Sequence, residues 1–272
     1  MFHTRRAACA QTRRLLAVLA AASVVAACGG GGDSSDNGSE SAATSAEGFY
    51  IGTMAGGTPN YFEQLVLENN EVWLLYGTRA SPGAGVALSG LMGGTGTYVG
   101  GTLSATAFKD FSGAVPAPTG TFSASYKTNS KSHVTSISGA VNAGGKSLTL
   151  TGDSNVSDYR YSAPASLSEL SGNWTIPLAA GASGTVSVNS TGGFSLNVAG
   201  CTGSGTMGAR ASGKNVFNVT ITFGAAPCGF PGAVFSGVAF VAPNPFLSTA
   251  GDLRVLLRNS AQTAGLALAA KR

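Results

Sequence analysis

The chain has four cysteines, and their spacing indicates which of them could form a disulfide or bind a metal. Cys9 and Cys28 lie in the amino-terminal segment, and Cys201 and Cys228 lie near the other end. In an oxidising compartment the second pair is expected to form a structural disulfide, closing a loop of about 27 residues. A metal site would need two further ligands, and His133, the one histidine beyond residue 27, lies in the other half of the chain. We therefore expect a disulfide and no metal.

The amino terminus has the three parts of a secretory signal peptide. Four arginines precede an apolar stretch, residues 15–27, that is too short to span a bilayer. It ends in Val25-Ala26-Ala27-Cys28, which resembles the lipobox of bacterial lipoproteins. The resemblance implies cleavage after residue 27, lipid on the Cys28 thiol and an N-acyl chain such as palmitate, which together anchor a protein stably. The alternative is an ordinary secretory signal in which Cys28 is incidental.

Residues 28–47 predict a flexible tether to the membrane. Four consecutive glycines are followed by Ser, Gly, Ala, Asn, Thr and acidic residues, a composition that buries too little apolar surface to fold. Gly29 stands where some lipoproteins carry the aspartate that retains them in the inner membrane. The outer membrane is therefore the expected location, with the periplasmic and surface faces both open.

Loss of residues 1–27 removes the net charge. The whole chain has 16 Lys and Arg against 12 Asp and Glu, and the excess is the four arginines of the signal segment. The mature protein is formally neutral, so no case for nucleic-acid binding rests on charge.

Composition predicts an all-β fold, with 40 glycines and 10% charged residues. Phe217, Val219, Ile221 and Phe223 alternate with polar residues, which indicates a strand with one buried face. Similar patterns predict eight strands in each half. They lie near 48–53, 61–68, 71–77, 86–92, 97–106, 120–127, 134–141 and 146–152, then near 172–178, 184–189, 193–200, 203–210, 215–223, 233–242, 252–259 and 263–271.

These counts predict two tandem small antiparallel β-barrels, at 48–165 and 166–272, the second with the disulfide. Both halves open alike, with Gly48-Phe49-Tyr50-Ile51 in one and Gly172-Asn173-Trp174-Thr175 in the other. One larger β-sandwich is the alternative.

Motifs that look catalytic have simpler explanations. Residues 203–208 fit GxGxxG and residues 208–215 nearly spell a P-loop, but both lead into strands rather than helices. His133 lies in a polar loop without triad partners. Glu63, Glu68 and Glu71 cluster around a predicted turn, and alternation predicts that their side chains face solvent. We expect no catalytic residue and no cofactor.

Aromatic residues concentrate in the first half of the chain. Trp73 and Tyr76, together with Tyr159 and Tyr161 at the junction of the halves, are a possible binding surface. The alternative is that such strand aromatics form the barrel core.

The lipobox cysteine, the glycine run and the acidic spacer, followed by glycine-rich β repeats, resemble neisserial surface lipoproteins of the factor H-binding protein and transferrin-binding protein B type. The resemblance covers residues 1–47 in sequence and only the architecture beyond. It implies capture of a host protein. Gly172 to Thr175 is also similar to the opening of avidin-type barrels, but Trp174 alone cannot supply their tryptophan-lined site.

The sequence therefore predicts a non-enzymatic, outer-membrane lipoprotein that binds a macromolecular or envelope partner. A carrier of small hydrophobic ligands in a barrel lumen is the alternative, and a structural envelope protein is a second. Oligomeric state stays open.

Overall fold

The computed structural model describes residues 40–55, 58–79, 86–129, 133–154, 159–178, 181–242 and 251–272. The predicted signal peptide, Cys28 and residues 29–39 of the predicted tether lie outside these ranges. The described residues belong to one compact unit, Gly38–Arg272. Apart from one short helix in these ranges, α1 (Leu167–Leu170), their regular structure is β, which confirms the all-β fold class.

Ten strands of the described chain form the first sheet. They are β1 (Ser41–Ala42), β2 (Gly48–Ala55), β3 (Tyr61–Val66), β4 (Glu71–Arg79), β5 (Val86–Thr95), β6 (Thr97–Val99), β7 (Thr102–Asp110), β8 (Thr119–Thr128), β9 (Val134–Ala143) and β10 (Lys146–Asp153). Eight of them close into an antiparallel ring, the first barrel, in the order β2-β3-β4-β5-β7-β8-β9-β10 and back to β2. Strands β1 and β6 pair with β8 and β7.

The second sheet forms a nearly closed second barrel. Its eight described strands follow chain order, each antiparallel to the next. They are β11 (Gly172–Pro177), β12 (Ser183–Val188), β13 (Gly193–Val198), β14 (Cys201–Ala209), β15 (Phe217–Phe223), β16 (Val234–Ala242), β17 (Asp252–Asn259) and β18 (Gly265–Ala270). Two backbone hydrogen bonds between Thr175 and Lys271, of 2.7 and 2.8 Å, join the ends of the sheet. Two tandem barrels are thus confirmed, and not one sandwich.

Alternation along the strands sets what faces each lumen. In β15 the apolar residues 217, 219, 221 and 223 are buried and the polar residues between them are exposed, as predicted. Gly48 and Gly172, the first residues of β2 and β11, both have positive φ, 150° and 123°, which glycine adopts readily. The similar openings of the two halves therefore correspond to the same backbone feature.

Two stretches of the first half differ from the prediction. The strand expected at 97–106 is divided into β6 and β7 because Gly100 and Gly101 form a turn with left-handed φ values of 57° and 82°. Residues 41–46, predicted as the end of the tether, lie against the first barrel. There Ala43 donates a backbone hydrogen bond to Tyr126 and accepts one from the Tyr98 hydroxyl, at 2.9 and 2.5 Å.

Cys201 and Cys228 form the predicted disulfide. It links the first residue of β14 to the segment after β15, so it closes a loop spanning 27 positions. Cys228 is buried against the core of the second barrel.

Replacing both cysteines, Cys201→Ala with Cys228→Ala, should lower the free energy of unfolding by about 3 kcal/mol, because the unfolded chain regains the entropy of that loop. Urea unfolding measures the loss. Reductant should destabilise the parent protein by a similar amount and leave the double variant unchanged. An equal urea midpoint for the oxidised parent and the double variant would contradict this expectation.

Candidate functional site

Side chains fill the lumens of both barrels. The largest of them are less than 2% exposed. In the first barrel they are Tyr50, Phe62, Tyr76, Phe108, Phe122 and Tyr126, and in the second Trp174, Phe217 and Phe235. The Trp174 indole also donates a 2.7 Å hydrogen bond to the carbonyl of Leu170 in α1. Within the described ranges, protein atoms therefore occupy the space that a lumen ligand would need.

The four aromatic residues predicted as a possible binding surface are placed differently by the fold. Tyr76 lies in the first lumen and is 1% exposed. Trp73 and Tyr161, 1% and 7% exposed, belong to an apolar cluster outside both lumens. Tyr159 is half-buried against Phe49, with ring centroids 5.0 Å apart. Trp73 and Tyr76 are therefore packed inside the structure, because the fold covers both faces of the strand that carries them.

That apolar cluster joins the two barrels, and we call it the inter-barrel interface. Outward faces of β2 to β5 pack there against outward faces of β16 and β17. Its buried members include Phe49, Ile51, Tyr61, Leu65, Trp73, Leu75, Leu91, Val238, Phe240 and Leu256. Contact on this side explains why every residue of β3 is buried, although a strand of a solvated barrel buries only alternate residues.

Glutamates of the first barrel meet cations of the second across this interface. Four such ion pairs occur among the described residues: Glu63–Arg254 at 2.8 Å, Glu71–Arg258 at 2.5 Å, Glu68–Arg210 at 2.8 Å and Glu47–Lys214 at 3.1 Å. The prediction that these glutamates face solvent at a hairpin tip is therefore wrong for Glu63 and Glu71, while Glu68 is exposed as predicted. Alternation does point them out of the first barrel, but the second barrel covers that side.

Arg254 and Glu63 are the most buried of these pairs. Both side chains are less than 10% exposed, and the guanidinium donates two hydrogen bonds, Nε to Oε2 at 2.8 Å and Nη2 to Oε1 at 3.0 Å. Asp252 lies 3.3 Å from the same guanidinium, and the Tyr61 hydroxyl donates to Glu63 at 3.2 Å. Burial alone would lower the pKa of Arg254, but the charges of Glu63 and Asp252 outweigh burial and raise that pKa.

A second polar cluster lies at one mouth of the first barrel. Asp110, 2% exposed, accepts hydrogen bonds from Lys146 at 2.5 Å, Tyr76 at 3.1 Å and the backbone of Ser112 at 3.0 Å. Burial would raise the pKa of Asp110, but the bonds from Lys146 and Ser112 hold it below its ordinary value. A Cβ at Gly144, where φ is 60°, would lie 2.3 Å from the carboxylate, so glycine permits this approach.

The same cluster resembles a serine–lysine catalytic pair, since Lys146 Nζ lies 3.3 Å from Ser112 Oγ. A lysine that activates serine must be neutral. Burial would lower the pKa of Lys146, but the Asp110 carboxylate outweighs burial and raises it. Lys146 therefore stays protonated and serves to close the barrel mouth.

The other motifs lie where the sequence predicts them. His133 is exposed, and its backbone N–H contacts the Asn129 side chain at 3.3 Å. Residues 203–208 lie within β14, and residues 210–216 form its connection to β15. Neither glycine pattern leads into a helix.

A polar cleft of about 300 Å³ opens at the edge of the inter-barrel interface. We call it the seam cleft. It is lined by Glu71, Trp73, Arg210, Ser236, Gly237, Val238, Arg258, Asn259, Ser260 and Gln262. The Arg258 guanidinium lies 4.7 Å from the centre of the Trp73 ring, and its Nη2 donates a 2.5 Å hydrogen bond to Glu71. Two donors of this wall, Trp73 Nε1 and Arg258 Nη1, are buried without a hydrogen-bond partner in the described part of the chain.

A wider groove of about 700 Å³ lies at the junction of the halves, where Tyr159 and Tyr161 are found. Tyr50, Tyr159, Tyr161, Arg160 and His133 contribute to its walls. Burial raises the pKa of Tyr159 and Tyr161, so both hydroxyls stay protonated at neutral pH. Both tyrosines thus contribute to a concave surface, where Tyr159 is half-buried and Tyr161 is buried.

Sequence reasoning missed Arg210, Arg254, Arg258, Asp110 and Lys146. A usable signal was present in β17, where Arg254 stands between Leu253 and Val255 in a mostly apolar strand. A charge in such a strand must meet an opposite charge once both faces are covered. Nothing local identifies Glu63, 191 positions away, as that partner.

No group of three or more histidine, cysteine, aspartate or glutamate side chains in the described ranges is arranged to hold a metal ion. Across the same ranges, no helix has the length and apolar character to cross a bilayer. Comparison of the chain with protein-family models, curated proteins and solved structures finds no match.

Arg254→Met should destabilise the protein by about 3 to 5 kcal/mol, because it leaves the Glu63 carboxylate buried without its cation. Adding Glu63→Gln should recover part of the loss. The matched control is Lys127→Met, which removes an exposed pair with Glu40 at 3.9 Å and should change stability by less than about 1 kcal/mol. Urea unfolding measures all three variants. Equal effects of the two single substitutions would mean that the buried pair does not hold the barrels together.

Lys146→Met should cost roughly 1.5 to 3 kcal/mol near neutral pH, because Asp110 loses a charge-assisted hydrogen bond. A carboxyl whose folded-state pKa is lowered stabilises the fold above its ordinary value, 3.8, and this contribution disappears as pH falls through the folded-state pKa. The gap between variant and parent should therefore narrow in acid. Lys109→Met, which removes only a bond to the Thr119 hydroxyl, should show a small gap that does not vary with pH. A constant gap for Lys146→Met down to strong acid would refute the assignment.

Proposed function

We propose that this chain is a lipid-anchored protein of the outer membrane whose two-barrel unit binds a partner without catalysing a reaction. One observation carries the binding role. The inter-barrel interface, with its buried Glu63–Arg254 pair, holds the barrels in one arrangement and so gives the seam cleft a fixed shape. A preformed concave site with a few polar groups is typical of binding sites.

The chemistry of the polar clusters favours binding over catalysis. Lys146, the candidate base beside Ser112, is held protonated by Asp110. The carrier alternative has less support, because aromatic side chains fill both lumens. The mature chain's equal numbers of acidic and basic residues give no reason to propose nucleic acid as the partner.

The anchor is proposed from the sequence of residues 1–39. Cleavage before Cys28 and acylation of its thiol would leave a glycine- and serine-rich spacer ahead of β1. The resemblance of this segment to neisserial surface lipoproteins supports a macromolecular partner outside the cell. A partner within the envelope fits the same anchor if the protein faces the periplasm.

Cells expressing the full-length chain should incorporate labelled palmitate into it, and Cys28→Ser should abolish incorporation and release the protein from membranes. Cys9→Ser is the matched control, because Cys9 lies in the predicted signal peptide and should not affect labelling. Labelling that persists in Cys28→Ser would refute the anchor.

Protease treatment of the same cells, with a periplasmic protein as marker, shows on which side of the outer membrane the binding unit lies. Cleavage while the marker survives would place the binding unit outside the cell. Protection until the outer membrane is permeabilised would contradict capture of an external partner and direct the search to the envelope.

A further inference from the structure

The seam cleft has donors that its own walls leave unpaired. Trp73 is 1% exposed, and its indole N–H has no acceptor in the described part of the protein. Arg258 uses Nη2 on Glu71, while its Nη1 has no acceptor among the same residues. A buried donor without an acceptor costs free energy that an incoming oxygen atom would recover.

Two guanidinium groups, those of Arg210 and Arg258, line the cleft. Each is paired with one glutamate, so the cleft carries no excess charge. Arg210 is held by Glu68 and Asn218, each at 2.8 Å, so its orientation is fixed. Arg258 contacts Glu71 through a single nitrogen, and the planar guanidinium fork is the side chain best matched to a carboxylate.

A further part of the cleft rim is neutral and polar. Ser236 and Ser260 are exposed, and Gln262 is half-buried in the turn between β17 and β18, with φ of 52°. Asn259 uses its side-chain oxygen on the backbone N–H groups of Thr263 and Ala264, so it shapes the turn and is not left to bind a ligand. Hydroxyl and amide groups on this rim suit the hydroxyls of a small ring.

From these contacts we propose that the seam cleft binds a small hydroxylated carboxylate of the uronic-acid class, with the carboxylate on Arg258 and the Trp73 indole N–H. Its volume, about 300 Å³, is at the small end of the range for ligand sites and suits a single ring. The inference rests on the binding role proposed above and does not depend on the lipid anchor.

Entry of the ligand requires one local movement. Both unpaired donor atoms are shielded from solvent, and the Arg258 guanidinium covers the Trp73 ring at 4.7 Å. A ligand carboxylate must therefore displace the side chains that shield these two atoms before it can reach both of them. The indole N–H of Trp73 is consequently the atom that reports binding.

The test is a titration of the purified full chain in detergent, with ¹⁵N-labelled tryptophan observed by NMR. The chain has two tryptophans, so two indole N–H signals are expected. Glucuronate should shift the Trp73 signal in a saturable manner. The Trp174 signal is an internal control, because its N–H is already bonded to Leu170. Trp73→Phe assigns the two signals.

Two probes define the ligand class. Glucose, which has the ring and hydroxyls without the carboxylate, should leave the Trp73 signal in place. Inorganic phosphate should bind at least about tenfold more weakly than glucuronate, because it has no ring hydroxyls to contact Ser236, Ser260 and Gln262. No saturable shift with glucuronate, or an equal response to glucose or phosphate, would overturn the proposal.

Substitutions test the residues. Arg258→Gln should weaken glucuronate binding at least about tenfold, as should Trp73→Phe measured by calorimetry, since each removes a hydrogen bond to a charged group. Arg272→Gln is the matched control, because Arg272 lies over Trp174 at 4.3 Å in the same manner but outside the cleft. Trp73→Phe keeps a ring beneath Arg258 and so remains informative if Arg258→Gln does not fold. Unchanged affinity in folded Trp73→Phe, or an equal loss in Arg272→Gln, would refute the site.

Failure here is separable from failure of the proposed function. The titration uses one purified chain and one small molecule, so a negative result removes the ligand class and leaves the anchor and a macromolecular partner untouched. Absence of palmitate labelling from the parent chain would refute the anchor and leave the titration unaffected.

Discussion

The inter-barrel interface is the contact on which the rest of this structure depends. Several strands of the first barrel are apolar on their outward face as well as their inward face, and such a surface is stable only when another layer covers it. The second barrel supplies that layer with β16 and β17. Four glutamate–cation pairs cross the same surface, and the most buried, Glu63–Arg254, allows only one register of barrel on barrel without leaving a charge unpaired.

Few residues of this chain are charged, and many of those few lie between the barrels. Charged residues make up 10% of the sequence, and eight of them are used in the four pairs between the barrels. Arg210 and Arg258 belong both to these pairs and to the lining of the seam cleft. The contacts that hold the barrels together therefore also set the position of the polar groups available to a ligand.

The barrels themselves are filled rather than hollow. Bulky aromatics occupy both interiors, and a bonded group of Tyr76, Asp110, Lys146 and Ser112 closes one mouth of the first barrel. A lysine beside a serine would by itself suggest a catalytic pair. Here Lys146 and Ser112 instead donate hydrogen bonds to the buried carboxylate of Asp110. Binding therefore falls to the outside of the barrels and to the seam where they meet.

The sequence by itself determined the all-β class, the two barrels, nearly all strand positions in the second half and the Cys201–Cys228 disulfide, because alternation, turn residues and cysteine pairing are readable over short stretches. It could not show what covers the outward faces of β3 and β4. Local alternation predicts only that Glu63, Glu71 and Trp73 point out of the first barrel. Whether they meet water or another sheet depends on cations 187 and 191 positions away, and only the tertiary structure brings those residues together.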